Sequence, residues 1–415
     1  MSISGTDVEV WDFSESAAAV VTKTSTDHHM SGKALSEDTV GSDAKTTPSK
    51  VLYVFDRNRS TDPRLRSGFE SHHKLGSFRI EDNHSYNDVN CEQNVVKSDE
   101  DLKTIEKMAV NLMDGFAESS VITDYKSYKE LKWKYFLKWI RRSRCLEDRP
   151  SEALPQFVSF GGLFASLLMT PNLCEDWTLL VSKFKETIFM NKIRFSNHSK
   201  GRHSRDQSLE PSLTRETTFV DKNPYFAAKV TQIVTKSDKQ VMNRSVNEFE
   251  KCFNCFETEI GGHRLLLMSE MDAIDEEDNQ YDIKCSKNMA FGQKLLNWWS
   301  QSVVADIDFV MVGIKDNENV LKEIRRVKVS EIPEMVSFRW KTDESFAFVN
   351  RFLDYMKDVM KDCKDLDVFR VQFRKRDKCV RSTELTVNTL LPNWFTSAEE
   401  WDEWDHQFDT QTVRI

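Results

Sequence analysis

Several things that mark simple protein classes are scarce in this 415-residue chain. No apolar run approaches the roughly 18 residues of a membrane span. Met1 to Thr24 has neither a basic leader nor an apolar segment, so it does not read as a secretory signal. Cysteines at 91, 145, 174, 252, 255, 285, 363 and 379 are too scattered for a disulfide scaffold and fit reduced thiols inside a cell. Cys252 and Cys255 form a C-x-x-C, yet no second pair or His pair follows at zinc spacing, so two half-buried residues is the better reading. Positive charge is short as well. Against 67 Asp and Glu stand 58 Lys and Arg, a net charge of −9, which excludes a protein that grips nucleic acid by its overall field. A nucleic-acid site here must be local, built from a patch or from bound metal.

What is present is aromatic bulk. With 27 Phe and 10 Trp, the chain has enough large apolar area for a real core, which sets aside wholesale disorder, collagen-like and coiled-coil character. At roughly 150 residues per domain, two or three domains or one large one are allowed. Residues 1–48, rich in Ser, Thr, Asp and Gly, read as a disordered tail. A strand-like run at Val51–Phe55 precedes the basic stretch Arg57–Arg66. Ser98 and Asp101 resemble a capping box, and Leu102, Ile105, Met108, Leu112 and Phe116 continue at helical spacing. A second helix is expected over Asp124–Arg142, a third over Gly162–Met169, and a polar loop over Asn197–Arg215.

The second half is denser. Strands are expected at Leu265–Met271, Tyr281–Cys285, Phe309–Ile314, Val327–Ile332, Val368–Phe373 and Val380–Leu385, with a strand at Thr187–Ile193 upstream. Helices are expected over Phe291–Ser302 and Ser345–Asp362. Strands and helices without regular alternation point to α+β. The last twenty residues, 396–415, are acidic and Trp-containing and read as a tail.

Chemistry concentrates in Leu265-Leu-Leu-Met-Ser-Glu270-Met-Asp272, an acidic turn over Glu276–Gln280, and Tyr281-Asp282-Ile283-Lys284. Residues two apart on a strand share a face, so Glu270 pairs with Asp272, and Asp282 with Lys284. If the two segments close as a hairpin, three carboxylates and one ammonium converge. Clustered carboxylates are costly unless a cation neutralises them, and oxygen ligands suit Mg²⁺ or Mn²⁺. One or two such ions can activate water for attack on a phosphodiester, with Lys284 placed to orient that water or to bind the scissile phosphate. The competing reading is a solvated charged hairpin; the apolar approach Leu265–Met268 argues instead for a central strand. Downstream, Lys294, Trp298 and Gln301 fall on one helical face and suit a nucleotide, while Trp299 reads as a core anchor.

In this order, Ser269-Glu270-Met271-Asp272, Tyr281-Asp-Ile-Lys284, Lys294-Leu-Leu-Asn-Trp-Trp-Ser-Gln301, Val310-Met-Val-Gly313, Phe157-Val-Ser-Phe-Gly-Gly162 and Leu391-Pro392-Asn-Trp394 resemble the DXO family of decapping and 5′-to-3′ exoribonucleases. The resemblance spans roughly residues 75–395. It implies one α+β domain over 49–395 built on two twisted mixed sheets flanked by helices, with a nuclease-like metal centre between them. It implies hydrolysis at RNA 5′ ends (NAD-capped, triphosphate or incompletely capped), with Mg²⁺ or Mn²⁺, in a monomer of the nucleus or cytoplasm that has no membrane contact. Position by position, it makes Glu270, Asp272 and Asp282 metal ligands, faces Lys284 to the scissile phosphate and puts Gln301 beside metal and substrate, while Lys294 and Trp298 stay substrate candidates on helical spacing alone. The family's further acidic ligand falls on Glu250 in Val246-Asn-Glu-Phe249-Glu250, with Glu257 as the rival.

The sequence departs from the family pattern in its first motif, where Phe160-Gly161-Gly162 stands in a Trp-Arg-Gly setting and the guanidinium is missing. Asp282 replaces the usual Glu, and the Glu250 motif lacks its leading Gly. The resemblance therefore carries a second reading, a catalytically weakened protein that binds RNA ends or a 5′-to-3′ exonuclease. A gain of activity by Gly161→Arg would show that the substrate contact, not the metal site, had been lost.

Overall fold

The computed structural model describes residues 51–53, 68–81, 84–88, 93–119, 125–147, 149–173, 175–193, 222–236, 245–288, 292–336, 340–385, 390–402 and 404–405. The chain divides at Thr46/Thr47, and every described residue belongs to the second unit. The expected tail 1–48, the basic stretch Arg57–Arg66 and the loop Asn197–Arg215 lie outside the described residues.

In chain order the first elements are β1 (Val51–Tyr53), β2 (Phe69–Ile80), β3 (Tyr86–Asn87), α1 (Asp99–Lys107), α2 (Tyr125–Ser143), β4 (Phe157–Phe160) and α3 (Gly161–Leu173). Next come β5 (Trp177–Phe184), β6 (Thr187–Ile193), α4 (Asn223–Val234), β7 (Lys251–Ile260), β8 (His263–Met271), β9 (Ala273–Ile274) and β10 (Gln280–Ser286). The chain ends with α5 (Gln293–Val304), β11 (Phe309–Lys315), β12 (Leu321–Lys328), α6 (Thr342–Met360), β13 (Val368–Arg374), β14 (Cys379–Leu385) and α7 (Asn393–Thr396).

The strands form two mixed sheets, as expected. A 10-stranded sheet has the order β1-β14-β13-β5-β6-β4-β8-β7-β2-β3, and a 4-stranded sheet the order β12-β11-β10-β9. Pairing is antiparallel except for β4 with β6 and β8, and β10 with β11. Period-two alternation sorts β8 between two cores: Leu265 and Leu267 pack with α3, α5 and α6, whereas Leu266 and Met268 pack with α2. The opposite face of the small sheet, through Tyr281, Ile283 and Met311, packs against Tyr225 and Val230 of α4 and Leu102 and Ile105 of α1. Helices thus cover both faces of the large sheet. Burying Leu265, Leu266, Leu267 and Met268 stabilises the fold by about 2 kcal/mol per side chain and fixes β8 as a central strand.

Local physics explains the differences from the sequence reading. The helix begun at Ser98, whose hydroxyl accepts the Asp101 N–H, stops at Lys107. Ala109 then adopts a φ of 49°, which a helix does not allow. The apolar residues Leu112 and Phe116 follow in turns and a short 3₁₀ segment. Val329–Met335 is likewise 3₁₀ rather than strand, and Pro333 within it supplies no N–H for a ladder. The described residues after α7 pack back on the domain: Trp404 stacks on Trp394 at 4.1 Å, and Asp405 pairs with Arg142 at 3.0 Å.

Candidate metal centre

The expected hairpin does not form. β8 belongs to the large sheet between β4 and β7, while β10 belongs to the small sheet. After Met271 the chain crosses from one sheet to the other, and β9 pairs with β10 through Ala273 opposite Tyr281. The turn lies where expected: Asp275 accepts the Asn279 and Glu277 N–H groups, and Asp278 takes a φ of 63°. Convergence comes from the crossover instead. The Asp272 carboxylate accepts the Ile283 backbone N–H at 2.7 Å, which brings the end of one sheet against the middle strand of the other.

Parity on β8 carries Glu270 and Asp272 to the face of Leu266 and Met268, toward α2. On β10, Ile283 enters the core under α4, so Asp282 and Lys284 point the opposite way. The Lys284 ammonium lies 2.8 Å from Asp282 Oδ1 and donates to Gln301 Oε1 at 3.1 Å. Gln301 in turn donates to Asn297, one turn back on α5, at 3.4 Å. On the other side of the cluster, Lys251 lies 2.6 Å from Glu270. Lys132 of α2 extends over the rings of Tyr128 and Phe253, 5.1 and 5.7 Å from their centroids.

The charges act strongly on one another. Burial, with the Asp282 and Glu270 charges added, raises Asp272 to about 7 against the pull of Lys251 and Lys284. Glu270 goes the other way, to about 2: burial opposes its charge, but Lys251 and Lys132 outweigh that effect. Burial lowers Lys251 and Lys284, yet both end above the ordinary lysine range because carboxylates face them. Lys132 is lowered by burial, only partly offset by Glu270.

Among the described residues, no three His, Cys, Asp or Glu side chains are already drawn together as a metal cage; ammonium groups stand between the carboxylates. The donor set nevertheless suits a hard divalent cation, being all carboxylate oxygen. Glu270 remains 38% exposed and opens the cluster to solvent.

Glu270, Asp272, Asp282, Lys284 and Gln301 are therefore brought together. The other expected residues are not. Glu250 precedes β7 and pairs with Arg79 at 3.0 Å, so its carboxylate is turned away from the cluster. Glu257 sits farther along β7, opposite Leu266, and pairs with Arg149. In the same segment the inward acid is Glu248, 2% exposed, whose charge bears on the Tyr128 hydroxyl together with those of Glu270 and Lys251. Trp298 is 3% exposed inside the main core and cannot offer a face to a base. Trp299 packs edge-on against Trp340, as a core anchor should. Lys294 donates to Ser286 at 3.0 Å, at the end of the face that carries Asp282 and Lys284. Cys252 and Cys255 are buried along β7, three residues apart and so on opposite faces.

Sequence reasoning missed Lys251, Lys132 and Glu248. The first was findable: once Lys251–Ile260 is taken as a strand antiparallel to β8, Cys252 faces Met271 and Lys251 falls beside the acids. Gly161, at the position where the family motif has Arg, is closed in. A Cβ there would collide with the Ser269 hydroxyl and lie 3.3 Å from Val304, while a Cβ on Gly162 meets nothing within 4 Å.

A family model for RAI1-like PD-(D/E)XK nucleases matches residues 71–396. The decapping and exoribonuclease protein of Xenopus laevis is 23% identical over 358 residues, covering 78% of this chain and 85% of that protein. The decapping nuclease RAI1 of Candida albicans is 20% identical over 334 residues, covering 71% and 84%. Among solved structures, Candida albicans Rai1 in complex with pU5 and Mn²⁺ superposes with a TM-score of 0.62 at 15% identity, covering 87% of this chain and 99% of that one. Scheffersomyces stipitis Rai1 with (3′-NADP)⁺ and calcium gives 0.61, also at 15% identity and with the same coverage.

Proposed function

Since the chain belongs to the RAI1-like PD-(D/E)XK nuclease family, we propose that it is a divalent-metal-dependent hydrolase that acts at the 5′ end of RNA, with Glu270, Asp272, Asp282 and Lys284 as its catalytic residues. The observation that carries this reading is the convergence of three carboxylates and Lys284 from two different sheets at one sheet crossover. Relatives named as decapping nucleases support RNA 5′ ends as the substrate class, and a relative crystallised with Mn²⁺ supports the metal. The nuclease domain is assigned to residues 49–395, and its substrates put its place of action in the nucleus or cytoplasm.

Glu270, Asp272 and Asp282 hold Mg²⁺ or Mn²⁺, which when bound supplies an activated water and offsets charge on the phosphate. Lys284, held by Gln301 and Asp282, orients the scissile phosphate through its ammonium. One Asp272 oxygen is committed to the Ile283 N–H, leaving the other to face the reacting atoms. Lys294, farther along the same face, meets the next phosphate of the chain.

The test is incubation of purified protein with 5′-triphosphate, NAD-capped and methyl-capped RNAs in Mg²⁺ or Mn²⁺. Cleavage of at least one is expected, abolished by EDTA and by Glu270→Gln with Asp282→Asn. Unchanged cleavage by that double variant would move the active site elsewhere. A second reading, a protein that binds RNA ends or an exonuclease without turnover, is favoured by Gly161 standing where the family motif has Arg. Tight binding of capped RNA with no product under any metal would establish it.

A further inference from the structure

A carboxylate cluster of this kind takes one or two divalent ions, and two need to sit roughly 4 Å apart within shared ligands. Here one cation position is already filled by the protein. The Lys251 ammonium lies 2.6 Å from Glu270 Oε1, a charge-assisted contact at the short end of its range. Its place follows from strand pairing: Phe253 faces Glu270 across β7 and β8, and Lys251, two residues away, shares that face. Lys132 bears on Glu270 as well, its ammonium held over the Phe253 and Tyr128 rings. Glu250, the further acid that the family resemblance suggests, is bonded to Arg79.

The charge balance points the same way. With Lys132 and the inward Glu248 counted, the four carboxylates Glu270, Asp272, Asp282 and Glu248 stand against Lys251, Lys284 and Lys132, which leaves one net negative charge. A single divalent ion more than neutralises that, and a second would place strong like-charge repulsion in a partly buried site.

We infer that Lys251 is a built-in counter-ion that takes the place of a second metal, so that the centre formed by Glu270, Asp272 and Asp282 holds one divalent ion. Lys251 is thus a specificity-determining residue for metal number and affinity rather than a group that touches substrate. The inference rests on the metal-centre reading above, and the experiment separates the two.

Purified full-length protein is titrated with Mn²⁺, and bound ions are counted by calorimetry and by electron paramagnetic resonance. The wild type is expected to bind one ion per chain with the six-line signal of an isolated Mn²⁺. Lys251→Met, which keeps the stem and removes the charge, is expected to bind a second ion with a spin-coupled signal, or the first at least tenfold tighter. Lys251→Arg should behave like the wild type. Thermal melts establish that each variant is folded, and Lys251→Gln replaces Lys251→Met if the latter is not. Two ions in the wild type, or a neutral variant with unchanged stoichiometry and affinity, overturns the inference alone. No Mn²⁺ bound by either protein overturns the metal-centre reading and the inference with it.

Discussion

Asp272 accepts the Ile283 N–H at 2.7 Å, so a residue of the carboxylate cluster also joins the two sheets. Ile283 is buried, and its amide has no water to turn to if the carboxylate is removed. Asp272→Ala is therefore expected to lose about 1–3 kcal/mol of folding stability along with activity, because a buried donor is left unmade. Asp272→Asn keeps an acceptor oxygen and should keep most of the stability while still losing cleavage. Urea melts of the two variants, set beside their cleavage rates, separate the structural role from the chemical one. Equal stability of Asp272→Ala and wild type would mean that the crossover is held by the β9–β10 pairing alone.

The Asp272 contact also shows why the site was only partly legible in the sequence. Spacing along a strand assigns residues to faces, so Glu270 with Asp272 and Asp282 with Lys284 could be paired from periodicity. What periodicity cannot say is which sheet a strand joins. A turn between two strand-like runs reads as a hairpin of those runs; here the turn joins β10 only to the two-residue β9, and the other partner of β10, β11, lies downstream in the chain. The α+β class, the central position of β8 and the core role of Trp299 were readable because they depend on apolar pattern alone. Trp298 shares a helical face with Lys294 and Gln301 in the sequence, but that periodicity does not reveal that its ring is buried in the main core. Glu250 pairs with Arg79 while Glu248 is buried, because the turn before β7 decides which of two glutamates two residues apart faces inward, and a motif does not encode that rotation.

Lys284 is positioned as much as it is charged. Its ammonium is shared between Asp282 and Gln301, and Gln301 is itself anchored on Asn297. Lys284→Met should abolish cleavage. Gln301→Ala leaves the charge but frees the ammonium to swing, and a misplacement of about 1 Å can cost on the order of 10²-fold in rate. The expected signature is a fall in kcat with little change in KM. A Gln301→Ala variant whose kcat matches wild type would assign the positioning to Asp282 alone.

His263 at the start of β8 gives the fold a pH dependence remote from the cluster. It is buried, its Nε2 lies 3.3 Å from Asp354, and Phe157 packs at its ring. Burial, with Lys357 adding to it and Asp354 opposing, lowers its pKa from 6.5 to about 4. The unfolded chain then binds more protons than the folded one between these values. The contribution is complete above pH 6.5 and is lost as pH falls toward 4, by about 2–3 kcal/mol. Chemical denaturation at pH 7 and pH 4.5 should show that slope, and His263→Gln should flatten it. An unchanged slope would assign the acid sensitivity to the carboxylates.

Gly161 and Ser269 form the last test, because they decide whether the guanidinium of the family motif can simply be put back. The Ser269 hydroxyl fills the space that a Cβ on Gly161 would need, and Val304 closes the other side at 3.3 Å. Gly161→Arg alone is thus expected to cost about 1–3 kcal/mol through overpacking and to gain no activity. This revises the simple rescue that the motif suggests. Ser269→Gly removes the obstructing hydroxyl, so the double variant should recover most of the stability and is the one in which an added guanidinium can reach substrate. Gly162→Arg is the control, since a side chain there meets open space and should leave the melting temperature near wild type. If cleavage of capped RNA rises in the double variant but in neither single one, the missing contact and the room for it were lost together. A stable, active Gly161→Arg single variant would show instead that Ser269 rotates aside at little cost.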